Sequence, residues 1–175
     1  MIRSLLGLAL LFTTSSAPAA LAPGAVAPDF ATQGALAGKP FRFALRDALR
    51  KGPVVLYFYP KAFTKGCTIE AHQFAEATPE FAKLGATVIG MSNDDLPTLQ
   101  RFSTEACRDK FAVAAASPDV IKRYDVALPV GGLANRTSYV IAPNGRILFV
   151  HSDLKPDEHV SGTLAAVKKW RAGRR

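Results

Sequence analysis

Two residues in this sequence could carry chemistry together: Cys67, at the start of a helix that follows a buried strand, and Arg136, just ahead of another strand. A cysteine attacks as its thiolate, and a free thiol is only a few per cent ionised at neutral pH. The unpaired N–H groups and the dipole of a helix's first turn favour an anion there, and Lys61 and Lys65 add positive charge nearby. Such a nucleophile suits an O–O bond, where hydrogen bonds must hold the attacked oxygen and support charge on the leaving one. Thr64, three residues ahead of Cys67, can place its hydroxyl beside the sulfur, and Pro60 and Phe63 can wall the pocket against water. Gly66 lets the backbone approach closely. A guanidinium from Arg136, brought to the same sheet edge, would stabilise the thiolate and bind peroxide oxygens. A solvated strand-end arginine is the alternative reading of that residue.

The elements that must position these groups are legible in the apolar pattern. Pro53 to Tyr59 is a continuous β-branched and aromatic run, the signature of a strand covered on both faces, and it stops at Pro60. A helix follows from Gly66, with Cys67, Ala71 and Phe74 on one face. Thr78-Pro79-Glu80 predicts an interruption and restart, and Gly85 the end. Ala86 to Met91 reads as a second buried strand; Asp94 or Asp95 caps a helix that carries Leu96, Leu99, Phe102 and Ala106 inward and ends at Cys107. A short strand from Phe111, a helix over 119–124, strands over 137–141 and 146–150 joined at Asn144-Gly145, and a closing helix from near Pro156 complete the chain. Residues 20–40 read as an extended lead-in, with order beginning near Val26 to Phe30. Alternating strands and helices with a terminal hairpin predict an α/β fold, a mixed sheet flanked by helices.

Composition bounds the function. The 175 residues are 49% hydrophobic and 21% charged, enough for one domain with a full core and no disulfide framework. Met1-Ile2-Arg3, the apolar run Ser4 to Phe12 and Ala17-Pro18-Ala19 have the form of a signal peptide over 1–19, which predicts export, in a bacterium to the periplasm, and a single domain over 20–175. No later segment is long and apolar enough for a membrane helix. Five of the positive charges behind the net +8 sit in the last eight residues, a tail that suits a helix C-terminus better than nucleic acid. His72, His151 and His159 show no metal-ligand spacing with the cysteines, so no metal is expected. Glu70 reads as a dipole partner or first-turn cap.

The stretch Pro60-xxx-Thr64-xx-Cys67, after Val54 to Tyr59, resembles the peroxidatic motif of peroxiredoxins. Gly66-Cys67-Thr68 with Glu70-Ala71 is similar to the bacterioferritin-comigratory, or PrxQ, branch; Ala27-Pro28-Asp29-Phe30 resembles the family's opening, and Asn135-Arg136-Thr137 its arginine-bearing strand. The resemblance implies a thioredoxin-like fold and a peroxidase without metal or organic cofactor. It makes Cys67 the peroxidatic cysteine, Thr64 the hydroxyl that orients peroxide, Pro60 the shield and Arg136 the activator. Two departures stand out. Ala62-Phe63-Thr64-Lys65 replaces the more acidic Asp-Asp-Thr-Pro, and His72 stands where many members have a second cysteine.

Some relatives resemble this chain in placing the resolving cysteine on the helix that here leads to Cys107. That implies a Cys67–Cys107 disulfide, re-reduced by a thioredoxin-like protein or a small thiol. The two Cα atoms must then come within about 7 Å, so the first turn around Cys67 is expected to unwind. An inert, buried Cys107 is the alternative. A monomer is expected. Competing functions are a thioredoxin-like disulfide oxidoreductase, disfavoured because Glu70 stands where Cys-x-x-Cys needs its second cysteine, and a non-catalytic redox-sensing binding module.

Overall fold

The computed structural model describes residues 20–129 and 131–174. Seven strands form one sheet: β1 (Ala31–Leu36), β2 (Lys39–Ala44), β3 (Val54–Phe58), β4 (Thr87–Ser92), β5 (Ala112–Ala115), β6 (Thr137–Ile141) and β7 (Ile147–Ser152). Their order is β2-β1-β5-β4-β3-β6-β7. The centre, β5-β4-β3, is parallel, and antiparallel strands extend it on both sides. Among the described residues the helices are α1 (Leu45–Leu49), α2 (Lys65–Lys83), α3 (Leu96–Glu105), α4 (Pro118–Arg123) and α5 (His159–Ala172). This is the mixed, helix-flanked α/β sheet that the alternation predicts.

The unbroken apolar run of β3 has a direct cause. Val54, Leu56 and Phe58 enter the core beneath α1 and α4, while Val55, Tyr57 and Tyr59 enter the core beneath α2, α3 and α5. Both faces are buried, so the run is aliphatic and aromatic throughout.

Several expectations are corrected. Residues 31–44 are no lead-in but the hairpin β1–β2, closed by Ala37-Gly38, both with positive φ. Its Ala- and Gly-rich sequence carries little strand propensity; pairing with β5 and a bond from Gly38 N–H to Ser103 Oγ at 2.9 Å hold it. Helix α2 runs unbroken through Pro79. A proline inside a helix costs about 3 kcal/mol. Fully buried Phe74 and Phe81 on either side each contribute roughly 1.5–3 kcal/mol, so packing outweighs the break, and Pro79 itself faces outward. Helix α3 ends at Glu105, leaving Cys107 in the following turn, where its N–H donates to Phe102 O at 3.0 Å. Helix α5 begins at His159, not near Pro156, because Glu158 takes a left-handed conformation ahead of it.

Candidate active site

The register of the sheet assembles the site. Phe58, last in β3, pairs with Thr137, first in β6. The chain leaving β3 at Pro60 therefore runs beside the chain entering β6 at Arg136. The loop Pro60 to Thr64 then delivers the N-terminus of α2, with Cys67 in its first turn. Thr64 occupies the N-cap position, yet no side chain caps this end, so the first-turn N–H groups remain free for an oxygen at the sulfur.

Cys67 is 2% exposed and a free thiol. Arg136 Nη2 donates to its Sγ at 3.4 Å. The same guanidinium is held on two other sides: Nε donates to Leu154 O at 2.9 Å, and Nη1 donates to Glu70 Oε2. Gly66 eases this approach, since a Cβ there would lie 3.1 Å from Arg136 Nη2 and crowd it. The strand-end arginine is thus buried at the sulfur, not solvated.

Thr64 and Pro60 line the entry loop. Pro60 is half-buried. The Thr64 hydroxyl donates to Lys61 O at 3.0 Å, within its own loop. Lys61 is no free charge near the thiol either: its Nζ pairs with Asp94 Oδ1 at 2.8 Å, and that bond raises the Lys61 pKa. Lys65 is exposed. Phe63 has a positive φ, packs edge-on against Phe102 and carries the Arg101 guanidinium over its ring. Cys107 is wholly buried in the same core as Cys67, and burial pushes its thiol well up.

Of the two cap candidates for α3 one serves, and two carboxylates of the site turn inward. Asp95 is the α3 cap, accepting from Thr98 N. Asp94 instead turns inward and pins the entry loop: its Oδ2 accepts from Ala62 N–H and Ser92 Oγ, each at 2.8 Å. Glu70 is no surface cap. It is fully buried between Arg136 and His159, whose Nδ1 lies 3.6 Å from Oε1. Burial pushes its carboxyl up to about 8, against the pull of the guanidinium. His159 is fixed by Ser138 Oγ at 2.8 Å and Asp153 O at 2.9 Å, and burial lowers it to about 4. A glutamate one turn from Cys67 is the only signal of this network in the sequence; its partners lie 66 and more residues away. Among the described residues, no group of three or more His, Cys, Asp and Glu side chains is arranged to hold a metal, and no helix is long and apolar enough to cross a membrane.

The model of the AhpC/TSA family matches residues 23–150. Peroxiredoxin Q, chloroplastic, of Arabidopsis thaliana is 36% identical over 150 residues, 83% of this chain and 66% of the relative. Its counterpart in Oryza sativa subsp. japonica is 31% identical over 143 residues, 81% of this chain and 64% of the relative. The chain thus spans about two thirds of the length of these chloroplastic relatives. The crystal structure of peroxidoxin BcpB from Mycobacterium tuberculosis is 32% identical and superposes with a TM-score of 0.73, covering 84% of this chain and 96% of that one. AhpC of the same organism, at 18% identity and a TM-score of 0.77 over 88% of this chain and 95% of that one, shares the fold. The chain belongs to the AhpC/TSA family of peroxiredoxins, in its peroxiredoxin Q-like branch.

Proposed function

We propose that the chain is a thiol-dependent peroxidase in which the Cys67 thiolate attacks the terminal oxygen of a hydroperoxide. The observation that carries this reading is Arg136 Nη2 at 3.4 Å from Cys67 Sγ, beside an uncapped helix N-terminus. In the step, the S–O bond forms and the O–O bond breaks. Cys67 becomes a sulfenic acid, and the departing oxygen takes a proton to leave as water or an alcohol. Arg136 and the first-turn N–H groups stabilise the charge that develops on these oxygens. Thr64 orients the peroxide once its hydroxyl turns from Lys61 O, and Pro60 keeps water from the sulfur. Exposed Phe63, on the loop just ahead of the sulfur, favours organic hydroperoxides alongside hydrogen peroxide.

Cys107 resolves the sulfenic acid as an intramolecular disulfide, after the first turn of α2 unwinds. A thioredoxin-like protein or a small thiol then reduces it. A leader over 1–19, which lies outside the described residues, would send the remaining single domain to the periplasm, where it acts as a monomer. Stopped-flow consumption of peroxide tests the core of this reading. Wild type reacts far faster than free cysteine, Cys67→Ser loses the reaction, and Arg136→Ala slows it. A Cys67→Ser chain that consumes peroxide at the wild-type rate would refute it. Mass spectrometry of the oxidised chain tests the resolving step: a linked 67–107 peptide is expected, and sulfinic acid at Cys67 with no link would refute it.

A further inference from the structure

Cys107 presents a chemical problem. Resolution needs its thiolate, yet the thiol is fully buried, and an anion there must find hydrogen-bond donors or stay protonated. Two donors stand ready in the same core. The hydroxyls of Tyr57 and Tyr59 are wholly buried and have no hydrogen-bond partner. Native structures leave few such groups, and each costs stability.

The two rings lie in the same core as the cysteine. Tyr57, in β3, and Tyr59, just past its end, enter the core that also receives Cys67 and Cys107. Tyr59 stacks on Phe102, whose carbonyl accepts from Cys107 N–H. Tyr57 lies against Phe111, just past the Cys107 turn, with its hydroxyl over Gly90, where a Cβ would meet it at 2.8 Å. The two rings are 5.6 Å apart. Ser92 neighbours Tyr59 and gives its own proton to Asp94, so its oxygen is an acceptor that the Tyr59 hydroxyl would leave on turning to the Cys107 sulfur.

We propose that the phenol hydroxyls of Tyr57 and Tyr59 are the receptor for the Cys107 sulfur, donating hydrogen bonds to its thiolate as it attacks oxidised Cys67. This rests on Cys107 being the resolving residue. In the step, Cys107 Sγ bonds to Cys67 Sγ and the S–O bond of the sulfenic acid breaks. The displaced hydroxide leaves as water with the proton the Cys107 thiol gave up, so one thiol is oxidised and one sulfenic acid reduced. The tyrosines gain and lose nothing; they hold charge in place. Burial pushes both phenols well up, and a charge on Cys107 is the largest electrostatic influence on each, so they stay protonated donors. Two unpaired hydroxyls are then a standing cost in the resting protein, offset during turnover.

The experiment is two-phase stopped-flow with wild type, Tyr57→Phe, Tyr59→Phe and the double variant. Each change removes only an unpaired oxygen, so thermal unfolding and near-UV circular dichroism should match wild type or show a higher melting point. The first phase, oxidation of Cys67, should be unchanged. The second, disulfide formation, should slow about tenfold or more, as expected for loss of a hydrogen bond to a charged group, and further in the double variant. Sulfinic acid at Cys67 should then accumulate at lower peroxide. An unchanged second phase overturns the proposal, as does a lowered melting point with both phases slowed, which would mark the hydroxyls as structural. A Cys107→Ser arm separates the two levels: if its second phase equals that of wild type, the resolving role itself fails, whatever the tyrosine variants do.

Discussion

Replacing Arg136 by lysine keeps the charge and removes the fork, and the geometry says what that costs. The guanidinium serves three acceptors at once: Cys67 Sγ at 3.4 Å, Leu154 O at 2.9 Å and Glu70 Oε2. An ammonium is a point charge on a flexible stem and cannot span all three. The buried carboxylate is the strongest competitor for it, so the sulfur loses its donor. A hydrogen bond to an ionised group contributes about 1.5–3 kcal/mol; at about 1.4 kcal/mol per factor of ten, oxidation of Cys67 in Arg136→Lys should slow roughly 10- to 150-fold. Stability should fall less than the 3–5 kcal/mol usual for a broken buried pair. Glu70, already pushed up to about 8, can take a proton instead of standing charged and alone. The assay is pre-steady-state oxidation of Cys67 with urea unfolding of the same variant. A rate within threefold of wild type would refute the reasoning, because it would mean that charge alone, without the three-way fork, serves the sulfur.

Gly66→Ala should move stability and rate in opposite directions. Helix propensity adds up to about 1 kcal/mol, while the new Cβ crowds Arg136 Nη2 and slows oxidation several-fold, read by denaturation and stopped-flow. His159 sits below its unfolded value, so the unfolded chain binds its proton more readily and stability drops as pH falls from 6.5 through 4. This shift corresponds to about 3 kcal/mol, and His159→Asn should lack that acid-side loss in pH-dependent unfolding. Glu70 has the opposite sign. Its folded pKa is raised, so its contribution is lost as pH rises from 4.5 through 8; Glu70→Gln should flatten that limb. Pro79→Ala, at an exposed helical position, should raise the urea midpoint, by up to about 3 kcal/mol of stability.

What could be read in advance follows the range of the interactions. The strand before Cys67, the helix after it and the arginine-bearing strand are encoded in local runs, so the elements that bring Cys67 and Arg136 together are legible; the burial of Arg136 at the sulfur is not, because position alone leaves a solvated strand-end arginine open. The β1–β2 hairpin was not, because Gly34, Ala35 and Ala37 carry no strand signal and pairing with β5 imposes the conformation. The continuity of α2 was not, because its cause is Phe74 and Phe81 packing, which a proline overrides only in isolation. The inward roles of Glu70 and Asp94 are hidden for one reason. A carboxylate near a helix start is usually a cap, and only a partner far along the chain, Arg136 for one and the Pro60–Thr64 loop for the other, turns it inward.

The backbone between β7 and α5 grips the centre twice: the carbonyl of Asp153 holds the His159 ring, and that of the next residue, Leu154, holds Arg136. Leu154 itself projects into solvent. A single proteolytic nick here would remove one hold on the imidazole and one on the guanidinium together, with both sulfurs chemically intact, so this short span is a vulnerable fuse for the proposed reaction.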